Sequence, residues 1–370
     1  MKKKIIFISS TIIFVENFLY DLLNEIKLNY EITIITNLQN SRKNKIENIN
    51  YINLNIDRKY NLVSDLKNIF NFFKIHINLK PDLIVSTTPK SIIFGIILNL
   101  FFRTNKVHIY TGIFWSNSRS YVQYIFSVLD KINIYTSKKI FFDSQAQISF
   151  FRSKKISSEK FLLINKGSIK GVDTNKFKPD KKLREKFRSR YNFGIDDIAI
   201  IYLGRLDKNK GIYDLIKVFK RINKKYRNTW LFLYGHNEMK LNSKDTDYLK
   251  NISINDYTNF PEQIIPCFDL FVLPSRREGF GNSVIEASSC GVPCLTSKIW
   301  GLEESSIDGL NCIKFQVDDD NDFYRKLEKL VINKQLRNDL GQKGRKFVKQ
   351  NFESKDVINF LKNEFSNLLN

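Results

Sequence analysis

The sequence predicts an α/β architecture of two doubly wound parallel sheets, Rossmann-like, facing each other across a cleft. Three observations lead there. Short apolar runs alternate with stretches at helical spacing along the 370 residues. Strands rich in Ile, Val, Leu and Phe with no polar alternation are those of a sheet covered on both faces. A polar, basic segment, 167–187, breaks the rhythm, and the same alternation then restarts.

The elements follow in order. "KKIIFIS" is a first strand, and a helical pattern over 15–28 carries Phe18, Leu22, Leu23 and Ile26 on one face. "EITIIT" (31–36) and "YINLNI" (51–56) are strands, followed by a helix over 61–78. "PDLIVST" (81–87), an apolar helix over 91–102, "KVHIYT" (106–111), a helix over 119–136, "KKIFFDS" (138–144), a further helix and "FLLIN" (161–165) complete the first half. After the break come "IAIIYLG" (198–204), a helix over 212–222, and the strands "WLFLYG" (230–235), "LFVLPS" (270–275) and "VPCLTS" (292–297). The last stretch, 336–370, is helical. The expected organisation is a domain over 1–180, a second over 181–345, and a tail over 346–370 that packs back on the first domain.

Composition bounds the function. Hydrophobic content of 42% excludes a disordered chain. The four cysteines, Cys267, Cys290, Cys294 and Cys312, have neither zinc-site nor secreted-disulfide spacing, so reduced thiols and a cytoplasmic location are expected. The basic, apolar start is broken by Ser9, Ser10 and Thr11 and reads as a strand, not a signal peptide. The longest apolar run, "SIIFGIILNLFF" (91–102), is too short to span a bilayer, which takes about 20 residues. It reads as a buried helix or a patch touching a membrane surface. Net charge is +22, of which residues 1–190 carry +19. Such a field favours an anionic partner, or else reflects a compositional bias toward Lys, Asn, Ile and Phe.

Two stretches carry chemistry. In "LGRLDKNKG" (203–211) a strand ends at Gly204 and a loop with Arg205, Lys208 and Lys210 feeds a helix. A guanidinium fork and an ammonium beside a helix start suit a diphosphate, or form only a solvated basic loop. The spacing is neither a Walker loop nor a dinucleotide fingerprint. In "EGFGNSVIE" (278–286) a flexible turn lies between Glu278 and Glu286, with a helix starting near Asn282 or Ser283. Ser283 and Glu286 also have the spacing of a capping box, which leaves Glu278 and "GFG" unexplained.

The arrangement E-x7-E, with its context "VLPSRREGFGNSVIEASSCGVPCLTS", resembles the retaining, GT-B-fold glycosyltransferases of family 4. "YLGRLDKNKGIYDLIKVF" resembles the strand-loop-helix of the same family. "STTPKS", "HIYTGIFW", "FFDSQAQISFF" and "NKGSIKGVDTNKFKPD" resemble its bacterial capsule, O-antigen and glycan-assembly members, so the likeness covers most of the chain. The resemblance implies a nucleotide-sugar in the second domain. Arg205 and Lys210 would bind its diphosphate and Glu278 the hydroxyls of its sugar. Backbone amides from Phe280 through Gly281 and Asn282 to Ser283 would face sugar and phosphates, and Glu286 would bond the ribose. Arg205, Lys210 and Glu278 would be catalytic. "YTNFPEQIIPCFDL" (257–270) resembles the segment that contacts the base. Carboxylates suit hydroxyl donors, and cations with amides suit phosphates.

The implied donor is a UDP-sugar, N-acetylhexosamine among the candidates, and the implied acceptor a polyprenyl-diphosphate-linked saccharide. Together with the charge, this implies attachment to the anionic inner face of the cytoplasmic membrane. No cofactor, metal or nucleic acid is implied. In the first domain the departures are larger: many members carry a His in the loop after the fifth strand, where this chain has Thr111, Gly112 and Trp115, with His108 inside the strand. These three are candidates for the acceptor side. "VDDDND" (317–322) reads as a helix cap with an acidic first turn in preference to a metal site. A sugar-nucleotide epimerase of the same fold and a basic nucleic-acid-binding protein are the alternatives.

Overall fold

The computed structural model describes residues 2–39, 41, 45–56, 62–116, 118–247 and 249–370. The start of the helix expected over 61–78 lies outside them. The chain forms two units, one of residues 1–170 with 355–370 and one of residues 171–354.

In the first unit β1 (Lys4–Ile8) leads to the short helix α1 (Ile12–Phe14), a π-helical turn over Val15–Leu19, and α2 (Tyr20–Ile26). Then follow β2 (Glu31–Thr36), β3 (Asn50–Asn53), α3 (Leu62–Leu79), β4 (Leu83–Ser86) and α4 (Pro89–Phe102). β5 (Asn105–Tyr110), α5 (Ser120–Thr136), β6 (Lys139–Phe142), α6 (Gln145–Ser153) and β7 (Phe161–Leu163) complete it. The sheet order is β3-β2-β1-β4-β5-β6-β7. All pairs are parallel, with Ile5 opposite both Ile32 and Leu83. At the centre of the sheet Ile5, Phe7, Leu83, Val107, Ile109 and Phe141 are buried.

The second unit holds α7 (Lys181–Arg190), β8 (Ile198–Leu203), α8 (Ile212–Lys225), β9 (Thr229–Tyr234) and β10 (Ile252–Asn255). α9 (Pro261–Ile264), β11 (Leu270–Leu273), α10 (Asn282–Ser289), β12 (Cys294–Ser297) and β13 (Cys312–Phe315) follow. α11 (Asp320–Ile332) and α12 (Lys334–Asn351) close the unit before the last helix, α13 (Ser354–Leu369). The parallel order is β10-β9-β8-β11-β12-β13. α8 is typical of the packing: Ile212, Leu215, Ile216, Phe219 and Ile222 recur at helical spacing and are all buried. α13 inserts Val357, Leu361 and Phe365 among Ile5, Phe7 and Phe141 of the first unit.

Three differences from the sequence reading have local causes. β10 and β13 were not expected, because their short runs contain Ser253, Asn255 and Lys314 and are flanked by polar residues. α7 occupies part of the segment read as a break. Asp180 caps it, accepting from the Leu183 amide at 2.9 Å, yet none of its residues is fully buried. The helical tail is two helices, separated at Phe352, whose carbonyl accepts from the Val172 amide at 2.8 Å. Of the two readings of the apolar run 91–102, the buried helix is the one observed for most of it, since Ile92, Phe94, Ile96 and Leu98 of α4 are buried. Among the described residues no helix is long and apolar enough to cross a membrane. All four cysteines are buried free thiols, and burial pushes those of Cys267 and Cys312 up to about 11.

Candidate active site

In the second unit, the ends of two neighbouring strands, β8 and β11, bring the candidate residues together. β8 stops at Leu203, and the next turn is fixed from inside. The buried Tyr202 hydroxyl donates to the Arg205 carbonyl at 2.7 Å. Burial raises this phenol well above its ordinary value, with Glu278 and Asp207 adding to the effect, so it remains a neutral donor. Asp207 accepts from the Asn209 amide at 2.8 Å and caps a 3-10 turn over Lys208–Lys210. Gly211 then has a left-handed φ of 68°, and a Cβ there would lie 2.1 Å from the Pro274 carbonyl oxygen. Only glycine allows the loop after β8 and the end of β11 to approach so closely.

That approach creates the central contact. Lys210 Nζ donates to Glu278 Oε1 at 2.5 Å, and Ser275 Oγ donates to the same oxygen at 2.6 Å. Both charged side chains are largely buried, at 18% and 13% exposure. Glu278 thus has one oxygen held by two donors, a geometry that fixes the plane of its carboxylate. Arg205 lies at the rim, with its guanidinium 3.3 Å from both Asp207 and Glu238. Arg276 ties the loops from another side. Its amide donates to the Asn209 carbonyl at 2.8 Å, and its guanidinium pairs with Asp214 at 2.7 Å and Asp318 at 2.8 Å.

The turn after Glu278 is anchored by Phe280. Its ring is buried against Phe352 and clusters with Val172, Ile285 and Val348, so only its backbone is available to a ligand. Gly281, at φ 83°, precedes α10, and the amides of Asn282 and Ser283 open that helix. Glu286 is buried one turn further on. The capping box is not formed: the cap position is Gly281, so Ser283 and Glu286 both lie inside the helix. This removes the capping box as the explanation for Glu286.

Sequence reasoning missed Ser275 and Gly301. Ser275 lies three residues before Glu278 at a strand end, and that spacing was the available signal. Gly301 sits in a 3-10 turn, Trp300–Leu302, pressed against the Glu278 loop: a Cβ there would be 2.0 Å from the Glu278 carbonyl oxygen. Nothing local in "KIWGLEE" marks it. "VDDDND" behaves as a cap, with Asp319 accepting from the amides of Asn321 and Asp322 at 3.0 and 2.9 Å.

The acceptor-side candidates lie in the first unit. Thr111, Gly112 and Trp115 line a small cavity with Thr87, Ile92, His108 and Phe126. The Trp115 ring is buried, and its N–H donates to Asp130 Oδ2 at 2.9 Å. Tyr110 donates to Asp130 Oδ1 at 2.5 Å. His108 is buried inside β5, bonded to Ser86 Oγ at 2.7 Å, and burial holds it well below its ordinary value.

Asp130 is pushed up to about 6 by burial, against the pull of its bonds from Tyr110 and Trp115. In the unfolded chain it would titrate near 4. The folded state therefore keeps the proton to higher pH. Its contribution to stability is complete below about pH 4 and is lost as pH rises through about 6. The stability difference between wild type and Asp130→Asn should shrink by about 3 kcal/mol over that interval. Urea melts at several pH values measure it, and a difference independent of pH would remove Asp130 as the titrating group.

Two doubly wound parallel sheets, with the charged strand-end loops of the second carrying the site, define the GT-B fold. Among solved structures, sucrose-phosphate synthase from Thermosynechococcus elongatus superposes with a TM-score of 0.84 at 17% identity, over 99% of each chain. Anabaena HepE, solved with UDP and glucose, also superposes at 0.84 and 17% identity, over 98% of this chain and 99% of that one. Residues 184–347 match the family Glycosyl transferases group 1. The capsular polysaccharide biosynthesis glycosyltransferase CapM of Staphylococcus aureus is 29% identical over 317 residues, 83% of this chain and 82% of that protein. Together these support a glycosyltransferase built on the GT-B fold.

Proposed function

We propose that the protein is a retaining, metal-independent glycosyltransferase of family 4. It moves a hexosyl or N-acetylhexosaminyl group from a UDP-sugar to a polyprenyl-diphosphate-linked saccharide in bacterial surface-polysaccharide synthesis. The observation that carries this reading is the cluster of Lys210, Glu278 and Ser275, with Arg205 at its rim and the start of α10 beside it. In support, the Staphylococcus aureus relative is named for capsule synthesis, and HepE was solved with UDP and with UDP-glucose.

Each residue has a task in this reading. Glu278 keeps one oxygen on Lys210 and Ser275 and uses the other to accept from sugar hydroxyls. Lys210 has three N–H donors and spends one on Glu278, which leaves two for the diphosphate. Arg205, held by carboxylates only at 3.3 Å, turns to the more highly charged diphosphate when the donor arrives. Amides from Phe280 to Ser283 complete the cradle, and Glu286 accepts from the ribose. As the glycosidic bond breaks, charge grows on the leaving phosphate, and these fixed cations and dipoles stabilise it. That phosphate takes the acceptor proton on the face it leaves, which retains the anomeric configuration. The acceptor binds beside Thr111, Gly112 and Trp115. The enzyme works at the inner face of the cytoplasmic membrane, where a lipid-linked acceptor is confined.

The deciding experiment is a panel of nucleotide-sugars with and without lipid-linked acceptors, following release of nucleoside diphosphate and the anomeric configuration of the product. Acceptor-dependent release with retention is the expected result. Conversion of the nucleotide-sugar without acceptor would establish the epimerase instead. Turnover should survive EDTA, because the cations at the diphosphate are Lys210 and Arg205. Loss with EDTA and recovery with Mg²⁺ or Mn²⁺ would overturn that assignment.

A further inference from the structure

α3, α4 and α5 cover one face of the first sheet, with α4 packed between the other two. α5 exposes Tyr121, Tyr124, Ile125, Val128, Ile132 and Tyr135. Those positions recur at spacings of three and four, so they form a single stripe along the helix, and it points to solvent. α3 does the same with Val63, Leu66, Phe70 and Ile77, and the exposed lysines Lys67 and Lys74 lie within that stripe. Between them, α4 exposes Leu100 and Phe101 at its end. Amphipathic helices of a globular protein turn such stripes inward, and a contiguous outward patch marks an interaction surface.

The charge identifies what covers it. Arg103, Arg119 and Lys131 join Lys67 and Lys74 as exposed cations on or next to these helices. Their carboxylates are withdrawn: Asp65 pairs with Lys90 at 2.6 Å, Asp130 is buried, and α4 has none. A second copy related by two-fold symmetry would set these cations against one another. Apolar and tyrosine side chains interleaved with cations, with no exposed carboxylate among the described residues of the three helices, fit the boundary of an anionic bilayer.

We infer that the α3–α4–α5 face is a lipid-docking surface for anionic membrane, gripped by the stripes of α3 and α5. The inference deepens the membrane-face reading above and rests on it for the kind of partner. It also moves the contact away from the apolar run 91–102, whose side chains are mostly committed to the core.

The test is co-sedimentation of the full chain with phosphatidylcholine vesicles, with and without phosphatidylglycerol, at low and high salt. Wild type should bind the anionic vesicles and be largely released by salt, since surface charge is screened within about 8 Å at physiological ionic strength. Lys67→Glu/Lys74→Glu should weaken partition on the order of 30-fold or more, at about fivefold per basic residue removed. Tyr124→Ser/Ile125→Ser should weaken it at least tenfold. Lys343→Glu/Lys346→Glu, the same charge change on α12, should have no effect. Equal binding to both vesicle types, or wild-type binding by both face variants, overturns the inference. So does a concentration-dependent dimer that these variants dissolve. UDP binding by calorimetry is measured alongside: its absence in wild type would sink the glycosyl-transfer reading and leave the vesicle result standing.

Discussion

Lys210→Ala is expected to lower kcat/KM for donor turnover on the order of 100-fold, the effect of removing one fixed electrostatic stabiliser of a developing charge. Its Nζ reaches Glu278 at 2.5 Å in a partly buried site, where a charge–charge contact is screened less than at the surface. Removal has two consequences. In the proposed reading the leaving phosphate loses a cation, and among the described residues Glu278 keeps only Ser275 as a hydrogen-bond partner. The second should also reduce stability, by about 1–3 kcal/mol for a buried acceptor stripped of a partner. Lys210→Arg should not restore full turnover, because a planar fork replaces a compact ammonium. Glu278→Ala added to Lys210→Ala should cost less than the two single effects combined, since the residues act as one unit. Turnover within a few-fold of wild type in Lys210→Ala, with UDP binding intact, would refute the assignment of the cluster to the diphosphate.

Gly301→Ala is expected to produce a comparable loss without touching a charged group. A Cβ would sit 2.0 Å from the Glu278 carbonyl oxygen, and backbone cannot step aside as a side chain can. Either the turn Trp300–Leu302 or the Glu278 loop must shift. Overpacking of this kind costs about 1–3 kcal/mol. A displacement near 1 Å at a positioned group costs on the order of 100-fold in rate. Gly309→Ala is the comparison. That residue, unlike Gly301, has a left-handed φ, 76°, but a Cβ there meets nothing within 4 Å. It should lose about 1 kcal/mol from strain and keep its turnover. Melting curves and steady-state rates on both variants separate the two mechanisms. Normal turnover in Gly301→Ala would show that the Glu278 loop yields freely.

The class of fold was legible because the signals behind it are local. A run such as "IAIIYLG" declares a strand covered on both faces, and the spacing of Ile212, Leu215, Ile216, Phe219 and Ile222 declares a helix with one buried side. Both patterns follow from backbone geometry alone. Where the apolar signal is interrupted, reading failed: β10 (ISIN) and β13 (CIKF) place polar side chains inside a four-residue run, unlike the equally short LFVL of β11. Ser283 and Glu286 had the right spacing for a capping box, but the helix starts after Gly281, whose left-handed backbone sets the cap position.

By itself the sequence determined the two alternations of strand and helix, the cations of 203–211 and the paired glutamates of 278–286. The tertiary structure decided what those groups meet. Lys210 and Glu278 are 68 residues apart, and they touch because β8 and β11 are neighbours in a parallel sheet and end on the same side. Ser275 and Gly301 acquire meaning only through that junction. The stripes of α3 and α5 follow the same logic in reverse. Their periodicity promised helices, but which side of a helix faces the sheet depends on what the sheet and neighbouring helices leave uncovered. Spacing along a chain is fixed by the backbone of a few residues, whereas contact across a sheet is fixed by strand order, which no local stretch encodes.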